Sequence, residues 1–434
     1  MGGGLKFNPP HTVGARHNIY TSKYLFRTIM TFGEDYLKLV GDIGNFTEEV
    51  TGVSLIDAYF GPENLSPAKA KRDSTPEELL NSICTLMGET REIDDELRRI
   101  EITSSLESLE VVVRWLSGEE ISYVRLVEGI FGIAPSKFGE KEIRRAQKKV
   151  EDASTSLPGS DVSERIQRWR KENEISGEAL KKMVDSEIVD RTKEIERLFE
   201  RQVFAYLPTE IENKGIIYKT VTAEPWTAYN YYQGNYTSIN AFNIDMPFNK
   251  YGLIGAISHE YEHHVANLFR EKLYREKGLL DLSAVLLHTK SSIIDEGTAD
   301  CAKDFLGLQL SGEHNELIEA LHTLEGMITI NVSYMFNVEN TDDKIAAQYF
   351  MSQGYVPIEK AKKYLGILKP LRADGKPNFF NPYIYNYFFG KRDYVSPTFQ
   401  KAQKKNKLKE FFQTLYLNPY SRSTATWKIA FSKI

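Results

Sequence analysis

A chain of 434 residues, 41% hydrophobic and 26% charged, has the balance of a globular protein and the length for one large domain or two to three smaller ones. Its net charge of −5 supplies no basic field, which argues against nucleic acid or an anionic membrane as a partner. Two cysteines, Cys84 and Cys301, exclude a disulfide scaffold and point to a reducing compartment.

The opening stretch "MGGGLKFNPPHT" has no apolar core of the kind a signal peptide needs, and Lys6 stands where a myristoylation pattern wants Ser or Thr. No run approaches about eighteen uninterrupted apolar residues, so no bilayer span is expected and the expected location is the cytoplasm. Residues 20–205 read as mostly helical, with apolar residues at three- and four-residue steps among charges. Breakers at 60–67, 132–139 and 155–163 mark loops between helices, and the charge on these helices reads as solvated surface. From Ile216 to Asn243 the texture turns to Tyr, Thr, Ile and Val, predicting short strands with a bend around Gln233-Gly234-Asn235. The helical pattern then resumes almost to the C-terminus, broken at 371–382. Tyrosine is abundant, 24 residues in all, and gathers in 226–242 and 379–394, where it either fills core or walls a polar cleft.

The segment 251–274, "YGLIGAISHEYEHHVANLFREKLY", carries an apolar band of Leu253, Ile254, Ile257, Tyr261, Val265, Leu268 and Phe269 at helical spacing. His259 and His263 then lie one turn apart, about 5–6 Å between Cβ atoms, which lets two imidazoles converge on one zinc ion at about 2.0–2.1 Å. Glu260 follows the first histidine, the HExxH arrangement in which the glutamate is general base. A catalytic zinc needs a third protein ligand and an open position. The metzincin pattern is excluded, because Ala266 and Phe269 stand where it requires Gly and His. His288, His314 and His322 follow no partner pattern. A second helix, "SSIIDEGTADCAKDFLGL" (291–308), offers Glu296 as the third ligand. Ser292 and Asp295 are expected to form a capping box at its start, and Gly297, Thr298 and Ala299 to let it approach the histidine helix closely. Asp300, one turn beyond Glu296, is placed to accept the second N–H of a ligating histidine.

The HExxH helix followed by the Glu296–Asp300 helix resembles a gluzincin metallopeptidase. The order of segments resembles domain-of-unknown-function family 885 and the oligopeptidase- and carboxypeptidase-like gluzincins. The stretches that carry this are "DAYFGPE" (57–63), "PWTAYNYYQGNYTSINAFNIDMP" (225–247), the two metal helices and "YIYNYFFGKRDYV" (383–395). The chain departs from family 885 in having Glu262, rather than Pro-Gly, ahead of His263 and His264. The resemblance implies that part of Tyr231–Asn243 pairs with a substrate backbone, with Tyr236, Ser238 and Asn240 as contacts. It also implies that Tyr387 or Tyr383 steadies the tetrahedral intermediate, unless these tyrosines are core. Lys391 and Arg392 are either a solvated pair or the partners of a substrate carboxylate. The implied fold is mainly α, a large helical metallopeptidase with a small β-sheet next to the HExxH helix. Residues 1–205 would form a helical lid or cleft wall, and 206–434 the catalytic region.

The expected activity is hydrolysis of short peptides, with one zinc per chain held by His259, His263 and Glu296. Glu260 takes a proton from water and passes it to the leaving amine, while Tyr387 or His264 donates to the oxyanion. His264 otherwise packs or supports a ligand, and Glu262 is solvent-facing or paired in a salt bridge. Two competing readings are a zinc hydrolase of another amide or ester, and a helical binding protein with a vestigial zinc. Oligomeric state and exo- or endo-specificity are not encoded in these motifs.

Overall fold

The computed structural model describes residues 15–224, 226–308 and 314–434, with residues 15–31 by backbone alone. The opening twelve residues, on which the expectation about a leader rests, lie outside that range, as does Pro225. The N-terminal half contains α1 (Ala15–Thr51), β1 (Ile56–Tyr59), α2 (Pro76–Glu89), α3 (Glu96–Leu116), α4 (Tyr123–Phe131), α5 (Glu140–Ala153), α6 (Val162–Asn173), β2 (Glu174–Ile175), α7 (Gly177–Met183) and α8 (Val189–Gln202). After these come β3 (Ile216–Val221), β4 (Ala228–Gly234), β5 (Thr237–Asn243), β6 (Phe248–Asn249), the long α9 (Leu253–Lys277), β7 (Ala284–Leu286) and α10 (Ser292–Leu306). The C-terminal part consists of α11 (Asn315–Asn337), α12 (Asp343–Gly354), α13 (Ile358–Leu368), α14 (Asn386–Phe389), α15 (Ser396–Lys404), α16 (Leu408–Leu417) and α17 (Trp427–Ala430). The fold is therefore mainly α with a small β part. No described helix is long and apolar enough to cross a membrane.

Local signals account for several boundaries. Thr75 and Glu78 form a capping box around Pro76 at the start of α2. Gly278 ends α9 in the left-handed conformation, at φ 67°, a position where glycine carries no Cβ penalty. The predicted bend at Gln233-Gly234-Asn235 is the β4–β5 hairpin, turned by Asn235 and Tyr236 at φ 53° and 62°, the paired positive φ of a tight hairpin turn.

The three-stranded sheet runs β3-β5-β4, with β5 parallel to β3 and antiparallel to β4. β1 pairs antiparallel with β7, and its register slips between Ile56 and Ala58. That slip leaves Asp57 as the extra residue of a β-bulge. The buried core is continuous from Phe32 to Ile434 and takes in residues from every helix from α1 to α17. Buried polar contacts also tie the halves together: Arg98 meets Asp281 at 2.5 Å, and the Tyr123 hydroxyl meets Ser333 at 3.0 Å.

Candidate metal centre

On α9 the two histidines bring Nε2 atoms to 3.2 Å of each other. Glu296, from α10, places Oε2 3.3 Å from His259 Nε2 and 3.7 Å from His263 Nε2. The three side chains form a group able to hold a metal ion. His259 Nδ1 lies 3.0 Å from Asp300 Oδ1. A carboxylate can only accept, so the proton sits on Nδ1 and the Nε2 lone pair is turned toward Glu296. The second carboxylate oxygen, Glu296 Oε1, accepts from the Tyr383 hydroxyl at 2.8 Å, whereas Oε2 is buried without a hydrogen-bond partner. Two nitrogens and an orphaned carboxylate oxygen thus face one point. A tetrahedral zinc bonded at about 2.0–2.2 Å separates its ligand atoms by about 3.4 Å, which matches the three spacings. The residues present fit the ion.

The charges respond to each other. Burial would raise Glu296, but the two imidazoles override it and hold its carboxyl far below the usual range. Burial works against a charged His259, yet Asp300 and Glu296 lift it well above an ordinary histidine. A cation bound among these groups must displace any proton that the Nε2 atoms carry, so its uptake should weaken as pH falls. Glu260 is 6% exposed, and burial pushes its carboxyl up against the pull of His259 and His263, with Glu296 and Asp57 adding to the rise. A buried carboxyl beside the donor triangle is placed to exchange a proton with a group held there.

Close backbone contact brings the C-terminal tyrosines here. A Cβ on Gly297 would stand 2.4 Å from the carbonyl carbon of Gly390, and one on Gly390 1.9 Å from the Ile293 oxygen. These facing glycines let the wide π-type turn of residues 390–395 lie directly on α10. The small residue at 297 therefore admits this C-terminal segment, and not the histidine helix as the sequence suggested. Tyr387 packs edge-on against Tyr383, 5.7 Å between ring centres, and is 43% exposed. Desolvation, then Glu296 and Glu260, push its phenol upward.

Other expectations need correction. Ser292 and Asp295 form no capping box: Ser291 precedes α10 without a side-chain cap, Ser292 donates to the Thr289 carbonyl, and Asp295 accepts from Arg270 and Arg422. His264 is no oxyanion donor. It is fully buried, with Nδ1 2.7 Å from the Ser238 hydroxyl and Nε2 2.9 Å from Asn213 Oδ1, and burial pushes its pKa down to about 3. Tyr383 holds Glu296 and so positions a ligand. Ser238 and Asn240 are buried on the central strand, Ser238 bonded to His264 Nδ1 at 2.7 Å and Asn240 Oδ1 accepting from Asn230 at 2.5 Å, while the Asn240 side-chain nitrogen is buried without a partner, so neither is exposed to a substrate. Because β5 is paired on both edges, no peptide can add to it; β3 and β4 are the strands whose outer edges have no ladder partner among the described residues. Tyr236 sits in the hairpin turn beneath the Arg275 guanidinium. Arg392 bonds its own neighbour Asp393 at 2.5 Å and lies over the Phe138, Phe388 and Phe389 rings. Lys391 is no solvated residue either: it donates to the Asp300 carbonyl at 3.0 Å and meets Asp304 at 3.2 Å. Of the two readings of Glu262 the ion pair holds and the solvent-facing one does not: it is fully buried, paired with Arg422 at 3.5 Å and the Tyr416 hydroxyl at 3.1 Å.

Two features escaped sequence reasoning. Asp57, in a stretch quoted only for its likeness, accepts from the Tyr229 hydroxyl, and its charge is felt by His263 and Glu296. Arg422, near the C-terminus, bridges Glu262 of α9 and Asp295 of α10. No motif signals either; both come together only in the fold.

No protein-family profile matches this chain, and no curated protein matches it. Among solved structures it is similar to a "putative lipoprotein" from Colwellia psychrerythraea, with a TM-score of 0.48 and 14% identity over 84% of this chain and 64% of that one. It is also similar to a lipoprotein of unknown function, likewise so described, from Shewanella oneidensis, with a TM-score of 0.48 and 13% identity over 82% of this chain and 73% of that one. The chain thus spans 64% of the length of the first of these proteins.

Proposed function

We propose that this chain is a gluzincin-type zinc peptidase, akin to family 885 and its oligopeptidase- and carboxypeptidase-like relatives, that hydrolyses short peptides in the cytoplasm. The observation that supports it best is the donor triangle of His259, His263 and Glu296 with a buried Glu260 on the same turn of α9. A structural zinc site does not need a base and usually fills its fourth position with protein. One zinc ion at these three residues would supply Lewis acidity and a water of lowered pKa.

The protein's own groups supply the rest. Asp300 fixes the His259 tautomer, and Tyr383 holds the carboxylate of Glu296 in place. Glu260 accepts the proton from the attacking water and delivers it to the departing nitrogen. The Tyr387 hydroxyl is the donor for the oxyanion that develops at the scissile carbonyl.

The test is metal content by mass spectrometry on protein purified without chelator, joined to digestion of a mixed peptide library by the wild type and Glu260→Gln. One zinc per chain in both proteins, with cleavage by the wild type alone, is the expected result. Zinc with no cleavage by either moves the reading to a different amide, an ester, or binding. Failure to take up zinc even when it is added back overturns it.

A further inference from the structure

We propose that Asp57 is the group that receives a positively charged ammonium of the substrate, so that the site selects peptides by an amine and not by a carboxylate. This rests on the peptidase reading above and names the substrate end that the same site would grip.

The bulge in β1 releases Asp57 from the β1–β7 ladder and turns it toward β4, where Tyr229 donates to one carboxylate oxygen. Bulges are a recurring device for re-aiming a side chain beside an active site. Among the described residues Asp57 has no salt-bridge partner. The nearby basic groups are committed elsewhere: Arg270 to both oxygens of Asp295 at 2.6 and 2.7 Å, Lys391 to Asp300 and Asp304, and Arg392 to Asp393. None of these three is left free to receive a substrate's C-terminal carboxylate.

The surroundings suit a cation. Tyr229 stacks obliquely with Tyr231 at 4.6 Å and with Trp226 at 5.5 Å, and Tyr231 is 37% exposed, so an aromatic wall beside Asp57 opens to solvent. Aromatic faces attract ammonium groups, the more so when desolvated. Four acidic side chains, Asp57, Glu260, Glu296 and Asp300, share this region and outnumber its basic partners. The field that remains draws an ammonium inward and repels a carboxylate.

An α-amino group and a lysine side chain share this chemistry, and the experiment separates them. Three peptides of equal length are titrated calorimetrically into zinc-loaded Glu260→Gln protein: one with a free N-terminus and no lysine, its N-acetylated twin, and the acetylated twin with one lysine. The same titrations are run on Asp57→Asn and Tyr229→Phe in that background. Asparagine keeps an acceptor for Tyr229, and Tyr229→Phe keeps the carboxylate, so fold and charge are tested apart. The expected result is binding at least tenfold tighter for an amine-bearing peptide than for the acetylated lysine-free one. That ratio falls to near one in Asp57→Asn and persists in Tyr229→Phe. Which peptide gains identifies the α-amine or the side chain. Equal binding of all three, or a ratio that survives Asp57→Asn, overturns the proposal. Turnover of the same peptides by the wild type judges the peptidase reading separately: an intact binding ratio without cleavage retains the ammonium subsite and rejects the peptidase.

Discussion

Arg422→Met should destabilise the protein by about 3 kcal/mol and loosen the metal centre, although residue 422 touches no metal ligand. Arg422 is 4% exposed; its Nε lies 2.9 Å from Asp295 Oδ1 and its Nη2 3.5 Å from Glu262 Oε1. Removing one partner of a buried ion pair costs about 3–5 kcal/mol, because the other charge stays buried and uncompensated. Asp295 keeps Arg270 on both oxygens, so the cost falls mainly on Glu262, which retains only the Tyr416 hydroxyl. That places the loss at the low end of the range. Neutralising both partners is far cheaper than stranding one, so Arg422→Met/Glu262→Gln should recover to within about 1 kcal/mol of wild type. Glu262 lies between His259 and His263, and Asp295 immediately precedes Glu296, so slackening this bridge shifts the donor triangle. Support of this kind is worth about 10–100-fold in metal affinity, and the single variant should bind zinc about tenfold more weakly in a chelator competition. Urea unfolding of the two single variants and the double closes the cycle. A single-variant loss below about 1 kcal/mol, or a double variant no better than Arg422→Met, would refute the reasoning.

Gly297→Ala places a Cβ 2.4 Å from the Gly390 carbonyl carbon and 2.7 Å from the Lys391 nitrogen. These are backbone atoms that cannot swing away, so a loss of about 1–3 kcal/mol in urea unfolding is expected, with weaker zinc retention as Tyr383 is drawn off Glu296. Glu101 gives a pH test: burial, with Asp295 adding to it, raises its carboxyl to about 7 from the model-compound value of 4.5. The folded state then holds a proton that the unfolded chain releases across that window, so this group's contribution to stability is complete below about pH 4.5 and declines as pH rises toward 7, by about 3 kcal/mol in all. Glu101→Gln should lack this decline, and parallel wild-type and variant stabilities between pH 4.5 and 7.5 would count against it.

How much of this was legible in the sequence follows from the range of each interaction. Helix spacing fixes His259, Glu260 and His263 on one turn, and Asp300 one turn from Glu296, because both are local consequences of 3.6 residues per turn. The β4–β5 hairpin was legible for the same reason. The sheet order was not: β3 pairs in parallel with β5, passing over its sequence neighbour β4, and that pairing turned the strand expected to hold substrate into the central one, bonded on both edges. The His264 environment was likewise hidden, since its partners Asn213 and Ser238 lie 51 and 26 residues away. The capping reading of Ser292 and Asp295 failed because Arg270 and Arg422 claim the carboxylate, and two charge-assisted bonds outweigh one cap.

Those misplacements share a cause that bears on how such a site is built. Each ligand helix carries its own donors by local periodicity, but periodicity says nothing about the gap between helices. Here that gap is set by groups distant in sequence: the Gly297–Gly390 contact on one side of α10 and the Arg422 bridge to α9 on the other. The first admits Tyr383 to Glu296, 87 residues away; the second balances the two acids flanking the ligands. A chain that kept the HExxH and Glu296 helices but lost these supports would keep the motif without a donor triangle of 3.2–3.7 Å sides. Gly297→Ala and Arg422→Met therefore test the same claim from opposite faces of α10. The two losses of zinc affinity should multiply in the double variant if each support acts independently on the triangle, and fall short of the product if they act through one path.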